Sequence, residues 1–164
     1  MSKMPSWLPD MFAVTGDWQQ DLANLYAIFV KDWKMGKPTV GKIRVWWDRT
    51  IQPGDKFENG FWHLIERKQK ETGERGFDSW RAERLPWSAP ILKNYTDASM
   101  LYWRYEEEKK KIHIYVWLKD FDYVIILHER QKKVGLVGFL VTAFHVDGDS
   151  KRNNLQVKYE KRIV

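Results

Sequence analysis

The segment 60–67 contains residue types that could cleave a phosphodiester, because His63, Glu66 and Arg67 lie close together in it. His63 could act as a general acid or a general base, since an unperturbed imidazole titrates at about pH 6.5. Arg67 could hold the phosphate through its planar guanidinium. If the segment is a strand, His63 and Arg67 share one face and Glu66 points to the other, which makes Glu66 the weaker candidate for the second proton-transfer role. A partly buried structural histidine beside a solvated arginine is the alternative interpretation.

Two further arginines lie three residues apart in a segment that is predicted to be helical. Arg81 and Arg84 would share a helix face, and such a pair suits a phosphodiester whose negative charge grows in the transition state. An exposed helix in which Arg81 pairs with Asp78, one turn earlier, explains the same pattern equally well.

The last predicted strand supplies two more candidates within the segment 140–146. Thr142 would share a face with Leu140 and Phe144, and its hydroxyl could orient a phosphate or a catalytic histidine. A hydroxyl in an apolar strand more often bonds the backbone. His145 would point to the other face, and it is the substitute if the glutamate of the first segment cannot transfer a proton.

The composition limits the chemistry that is open to these residues. The chain has 164 residues with no Cys and only four His, so thiolate metal sites, cysteine nucleophiles and disulfides are excluded. It also lacks a glycine-rich phosphate loop, a His-Glu-x-x-His pair and a Gly-x-Ser-x-Gly elbow. We therefore expect no metal and no cofactor, and either chemistry by His, Arg, Glu and Thr or binding alone.

Charge and hydropathy suggest the kind of partner and the location. The 28 Lys and Arg residues exceed the 22 Asp and Glu residues by six, which is compatible with nucleic-acid partners without requiring them. No apolar run approaches the roughly 18 residues that span a bilayer, and the first residues lack the order of a signal peptide. We expect a cytoplasmic protein that does not associate with membranes.

A helix is predicted near the start of the chain, before the candidate residues. Apolar residues recur every three or four positions over 17–35, with Thr15 or Asp17 as the N-cap and Gly36 as the stop. The segment 1–35 is interpreted as a helical appendage of the domain that follows.

The remaining elements predict an α+β fold. Short polar links between consecutive strands require antiparallel pairing, so the second half of the chain should form a meander. A helix over 77–85 should stop at Pro86, and Pro90 argues against a regular helix over 87–92. Strands are predicted at 43–47, 61–67, 100–106, 111–118, 123–130 and 135–144, and a C-terminal helix at 149–162.

Three motifs occur in a fixed order along the chain. They are Gly-x-Trp-His-x-Ile-Glu-Arg at 60–67, Phe-Asp-x-x-Arg-Ala-Glu-Arg-Leu-Pro-Trp-x-x-Pro-Ile at 77–91 and Val-Thr-Ala-Phe at 141–144. This order, with a hydrophobic meander between the second and third motifs, resembles phage and prophage proteins grouped with barnase, EndoU, colicin and RelE-like nucleases. The resemblance covers residues 60–160, the nuclease-like core of the expected domain.

The resemblance implies helices before a curved antiparallel sheet, and metal-independent RNA cleavage on the face of that sheet. It matches His63 and Arg67 to a polar pair on the family's first strand and Thr142 to a hydroxyl on its last strand. The helix arginines of the family correspond to Arg81 and Arg84. This chain departs from the pattern at Phe144, where an aromatic residue with a hydroxyl is common.

We therefore expect a single α+β domain over 1–164 that is a toxin-like endoribonuclease using the RNA 2′-hydroxyl as nucleophile. RNA is the expected partner, and a neutralising protein partner is compatible with a toxin. One alternative is a non-catalytic RNA- or protein-binding phage module on the same scaffold. Another is a subunit whose aromatic surface forms an oligomer interface, and burial or exposure of the ten Trp separates these alternatives.

Overall fold

A computed structural model describes residues 3–164 and has the predicted α+β architecture. Its helices are α1 (Trp18–Phe29), α2 (Asn59–Ile65), α3 (Ser79–Glu83), α4 (Leu85–Lys93) and α5 (Asp149–Glu160), and a π-helical segment, Val30–Met35, continues α1. Its strands are β1 (Thr39–Val40), β2 (Ile43–Trp46), β3 (Glu66–Lys68), β4 (Arg75–Phe77), β5 (Leu101–Glu108), β6 (Lys111–Leu118), β7 (Tyr123–Lys132) and β8 (Gly135–His145).

Six strands form one curled sheet in the order β1-β2-β8-β7-β6-β5, and β3 and β4 form a separate two-stranded hairpin. The four strands from β5 to β8 are an antiparallel meander, as predicted. The sheet is mixed rather than purely antiparallel, because β2 pairs with β8 in the parallel sense. A parallel pair needs a long crossover, and that crossover contains α2 and the β3–β4 hairpin.

The helices bury apolar side chains on both faces of the sheet. The main core includes Leu25 and Phe29 of α1 and Trp33 of the π-helical segment, so the first helical region is part of the main core. The buried indole N–H of Trp33 donates a hydrogen bond to the hydroxyl of Ser88 in α4. Asp17, rather than Thr15, caps α1, because its carboxylate accepts from the backbone N–H of Gln20. No helix within residues 3–164 is long and apolar enough to cross a membrane.

The predicted strand over 61–67 is wrong, because residues 59–65 form helix α2 and only Glu66–Lys68 are extended. Phe61, Leu64 and Ile65 are completely buried, and their spacing is that of a helical stripe. A short apolar run fits both the two-residue period of a strand and the 3.6-residue period of a helix. Packing of this stripe into the main core selects the helix.

The prediction that Pro90 prevents a regular helix over 87–92 is also wrong, because α4 is continuous from Leu85 to Lys93. Pro86 lies in the first turn, where a missing backbone N–H costs nothing. Pro90 lies inside the helix, and the carbonyl that it leaves without a donor is the one of Pro86 at the helix start.

A β-bulge changes the expected faces of β8. Thr142 pairs with Ile126 while Leu140 pairs with Leu127, so Val141 is the extra residue. Thr142 and Leu140 therefore do not share a face, and Leu140 belongs to the main core. Pairing of β2 with β8 ends at Phe139, and α2 and α3 both pack against β8. This arrangement brings the candidate residues of α2, α3 and β8 together.

We predict that Gly60→Ala destabilises the fold by about 1–3 kcal/mol, because the site is overpacked. A Cβ at Gly60 would lie 2.8 Å from Cε3 of the buried Trp47 and 3.1 Å from the carbonyl oxygen of Asp48. Gly76→Ala is the matched control, since its Cβ would meet nothing within 4 Å among residues 3–164. Denaturant unfolding measures both variants, and equal stabilities would contradict the close approach of α2 to Trp47.

Candidate active site

Helix α2 places His63 and Glu66 on the same side of the chain, contrary to the strand-based prediction. Glu66 directly follows the last residue of α2, and positions three or four apart on a helix are neighbours. Both side chains line one open pocket, which we call the acid–base pocket. Its lining residues are Gln52, Asp55, Asn59, Trp62, His63, Glu66 and Arg75.

The acid–base pocket shifts the titration of His63 to lower pH. Partial burial lowers the pKa of His63, and the charges of Arg75 and Arg81 lower it further, while Asp48 opposes them. Its Nδ1 atom is buried without a hydrogen-bond partner among residues 3–164. An imidazolium has two N–H donors to satisfy, so this surrounding favours the neutral ring.

Glu66 titrates at higher pH than an ordinary glutamate. Partial burial raises its pKa, and the positive charge of Arg75 opposes that rise more strongly than Asp55 adds to it. The pKa values of His63 and Glu66 are thus shifted toward each other. Both groups are therefore suited to exchange protons within one pocket.

The β3–β4 hairpin presents different charges on its two faces. Arg67 pairs with Gly76, and Lys68 pairs with Arg75. Because successive strand residues point to opposite faces, Arg67 points away from the face that carries Glu66 and Arg75. Arg67 accordingly lines a second pocket, which we call the cationic pocket. Its lining residues are Arg67, Asp78, Trp80, Arg81, Phe144, His145, Asp147 and Lys151.

An aromatic pair forms part of the wall of the cationic pocket. The rings of Trp80 and His145 are stacked with centroids 4.8 Å apart and an interplanar angle of 25°. Burial lowers the pKa of His145, and the nearby Arg84 lowers it further. His145 therefore lies with Arg67 and Arg81, and in a different pocket from His63.

Arg81 joins three elements between the two pockets. Its Nη1 atom donates to the carbonyl oxygen of Glu66 at 2.6 Å and to the hydroxyl of Thr142 at 3.4 Å. Its Nε atom lies 3.6 Å from a carboxylate oxygen of Asp78, the residue that also caps α3. Arg81 thus holds the end of α2 against β8 and α3. The hydroxyl of Thr142 takes part in this contact because it accepts a hydrogen bond from the Arg81 guanidinium.

We predict that Arg81→Met lowers the free energy of unfolding by about 2–3 kcal/mol, because it leaves the partly buried carbonyl oxygen of Glu66 without its donor and removes the ion-pair partner of Asp78. Arg67→Met is the control, since Arg67 is exposed and surface changes usually stay within about 0.5 kcal/mol. Denaturant unfolding of both variants provides the measurement. Equal losses would show that Arg81 does not connect these elements.

Arg84 does not share an exposed face with Arg81, because α3 ends at Glu83 and Arg84 is its cap. Arg84 is only 7% exposed, and its guanidinium lies over the rings of Trp80 and Trp87. One guanidinium N–H donates to the carbonyl oxygen of Trp80 at 3.0 Å. This buried position supports the fold behind the cationic pocket.

The sequence reasoning missed Arg75, Asn59, Trp80 and Lys151. Arg75 and Asn59 could have been found if Gly73 had been interpreted as the turn of a hairpin and Asn59 as the start of a helix. Trp80 and Lys151 carried no distinguishing pattern, because exposed aromatic and basic residues are common on helices.

No family model, curated protein or solved structure matches the chain. The residues that the structure describes contain no group of three or more His, Cys, Asp or Glu side chains arranged to hold a metal ion.

Proposed function

We propose that this protein is a metal-independent endoribonuclease whose reaction centre is the acid–base pocket. The observation that supports this proposal is that His63, Glu66 and Arg75 line one open pocket. An imidazole and a carboxylate supply the two proton-transfer groups, and a guanidinium supplies a cation for the developing charge. A cytoplasmic location and a neutralising protein partner are part of the same proposal.

The proposed reaction is attack of the RNA 2′-hydroxyl on the adjacent phosphorus. One of His63 and Glu66 removes the proton from the 2′-hydroxyl as the O2′–P bond forms. The other protonates the 5′ oxygen as the P–O5′ bond breaks, which leaves a 2′,3′-cyclic phosphate and a free 5′-hydroxyl. Arg75 stabilises the charge that grows on the non-bridging phosphate oxygens.

We predict a narrow, bell-shaped dependence of cleavage rate on pH, with its maximum between pH ~4.3 and ~6.5, the ordinary pKa values of Glu and His. With Glu66 as base, activity rises as pH passes its raised pKa; with His63 as acid, activity falls as pH passes its lowered pKa. Exchanged roles give the same bell. A pH–rate profile measures it, and a maximum above pH ~7 would contradict the assignment.

The test of the proposal is incubation of the protein with mixed RNA in EDTA, followed by analysis of the fragment ends. We expect fragments with 2′,3′-cyclic phosphate and 5′-hydroxyl ends, and no cleavage of DNA, which lacks the 2′-hydroxyl. Complete loss of activity in EDTA, or cleavage of DNA at a comparable rate, would overturn the mechanism.

A non-catalytic RNA-binding module is the second candidate. The exposed indole of Trp80 favours it, since an aromatic ring beside arginines can stack on an unpaired base without any chemistry. RNA binding without cleavage in the same experiment would select this candidate.

A further inference from the structure

The cationic pocket has a large exposed aromatic surface that the proposed reaction does not use. Trp80 is 56% exposed, although His145 stacks on it and the Arg84 guanidinium lies 5.1 Å from the centroid of its ring. These two neighbours hold the indole in place while more than half of its surface faces solvent. A fixed, exposed indole is the kind of surface on which an unpaired nucleobase stacks.

The charged groups around Trp80 suit a phosphate. Arg67 and Lys151 line the same pocket, and Arg67 is exposed. Asp78 is already engaged in capping α3 and in its contact with Arg81, and Asp147 is the other carboxylate of the lining. Among residues 3–164 the guanidinium of Arg67 has no hydrogen-bond or ion-pair partner, so it is the main group of the pocket that can bind a phosphate oxygen bidentately.

The two pockets lie on either side of one short strand. Glu66 lines the acid–base pocket, and the next residue, Arg67, lines the cationic pocket. Because these two side chains point to opposite faces of the hairpin, a single-stranded chain that enters both pockets has to bend around β3.

We propose that the cationic pocket is a nucleotide subsite for single-stranded RNA, in which Trp80 stacks on a base and Arg67 and Lys151 hold its phosphate. The subsite takes a nucleotide of the same strand whose phosphodiester is cleaved, and in that respect it rests on the proposed function. Its binding chemistry does not require a nucleophilic 2′-hydroxyl.

The experiment measures binding of a fluorescein-labelled 2′-O-methyl RNA oligonucleotide of ten nucleotides by anisotropy at several salt concentrations. We expect Trp80→Ala to weaken binding about tenfold or more, and Trp80→Phe to retain most of the affinity. Arg67→Gln should lower the slope of log affinity against log salt by about 0.7. Arg130→Gln, an exposed arginine over Phe139 on the meander, is the charge-matched control and should leave the slope unchanged.

Equal affinity of wild type and Trp80→Ala would overturn the subsite, and so would a loss for Arg130→Gln as large as that for Arg67→Gln. Displacement of the oligonucleotide by poly-glutamate at equal charge concentration would overturn it too. Since a 2′-O-methyl strand cannot be cleaved by 2′-hydroxyl attack, these results separate the two proposals. Trp80-dependent binding without RNA cleavage supports the subsite and removes the nuclease. Cleavage of RNA together with binding that does not depend on Trp80 supports the nuclease and overturns the subsite.

Discussion

Replacing His63 with alanine is expected to lower the rate of RNA cleavage by about 100-fold or more, because proton transfer by a positioned side chain contributes that much. His63 is partly buried in the acid–base pocket, and its Nδ1 atom has no hydrogen-bond partner among the described residues, so the imidazole is not held by structural bonds there. The variant should therefore fold. Initial rates on a short RNA, with circular dichroism of the same sample, provide the measurement.

His128→Ala is the matched control for this experiment, because His128 lies on β7 in the meander and is also partly exposed. We expect it to cleave RNA at the wild-type rate. An unfolded His63→Ala protein would assign His63 to the core, and cleavage at the wild-type rate would remove it from the chemistry.

Replacing Glu66 with glutamine is expected to lower the cleavage rate by a similar factor, about 100-fold, because the amide keeps the size of the side chain but does not exchange a proton. The same substitution should raise the stability of the folded protein. Burial raises the pKa of Glu66, so the folded protein disfavours its ionised form, and the neutral amide removes this penalty above the raised pKa. Rates and melting temperatures at pH 7 measure both effects.

Glu106→Gln is the control for the glutamate, since Glu106 is exposed on β5. It should leave both the rate and the melting temperature unchanged. A Glu66→Gln protein that is less stable than wild type would show that the carboxylate serves the fold, and unchanged cleavage would show that it does not transfer protons.

The meander could be predicted from the sequence because its strands have dense β-branched and aromatic residues and are separated by short polar turns. Each predicted strand boundary there lies within two residues of the observed one. The first helix and the last helix were found for a similar reason, since a cap residue or a helical period marks each of them. In these segments, local preference and tertiary packing agree.

The segment 61–67 around His63 could not be assigned from the sequence, because its five helical residues and two strand residues fit a single alternating pattern. Packing of Phe61, Leu64 and Ile65 into the main core decides the helix. That change moves Glu66 to the side of His63, so the candidate pair depends on tertiary structure.

Two other features of the site also depend on tertiary structure. The bulge at Val141 arises from pairing of β7 with β8, and no residue type in the neighbouring sequence indicates a bulge there. Arg81 and Arg84 look equivalent in sequence, but α3 ends between them, so one bridges three elements and the other is buried against indoles. Helix ends are set by packing and capping and are the least predictable part of a helix.

The central claim is that this protein cleaves RNA through the 2′-hydroxyl without a metal ion, and a DNA oligonucleotide with a single ribonucleotide in its centre tests it most directly. In EDTA, we predict one cut, on the 3′ side of the ribonucleotide, with a 2′,3′-cyclic phosphate on the upstream fragment. The matched oligonucleotide with a 2′-O-methyl group at that position should stay intact. Cleavage at a deoxynucleotide, cleavage of the 2′-O-methyl strand, or no cleavage of either strand would contradict the account.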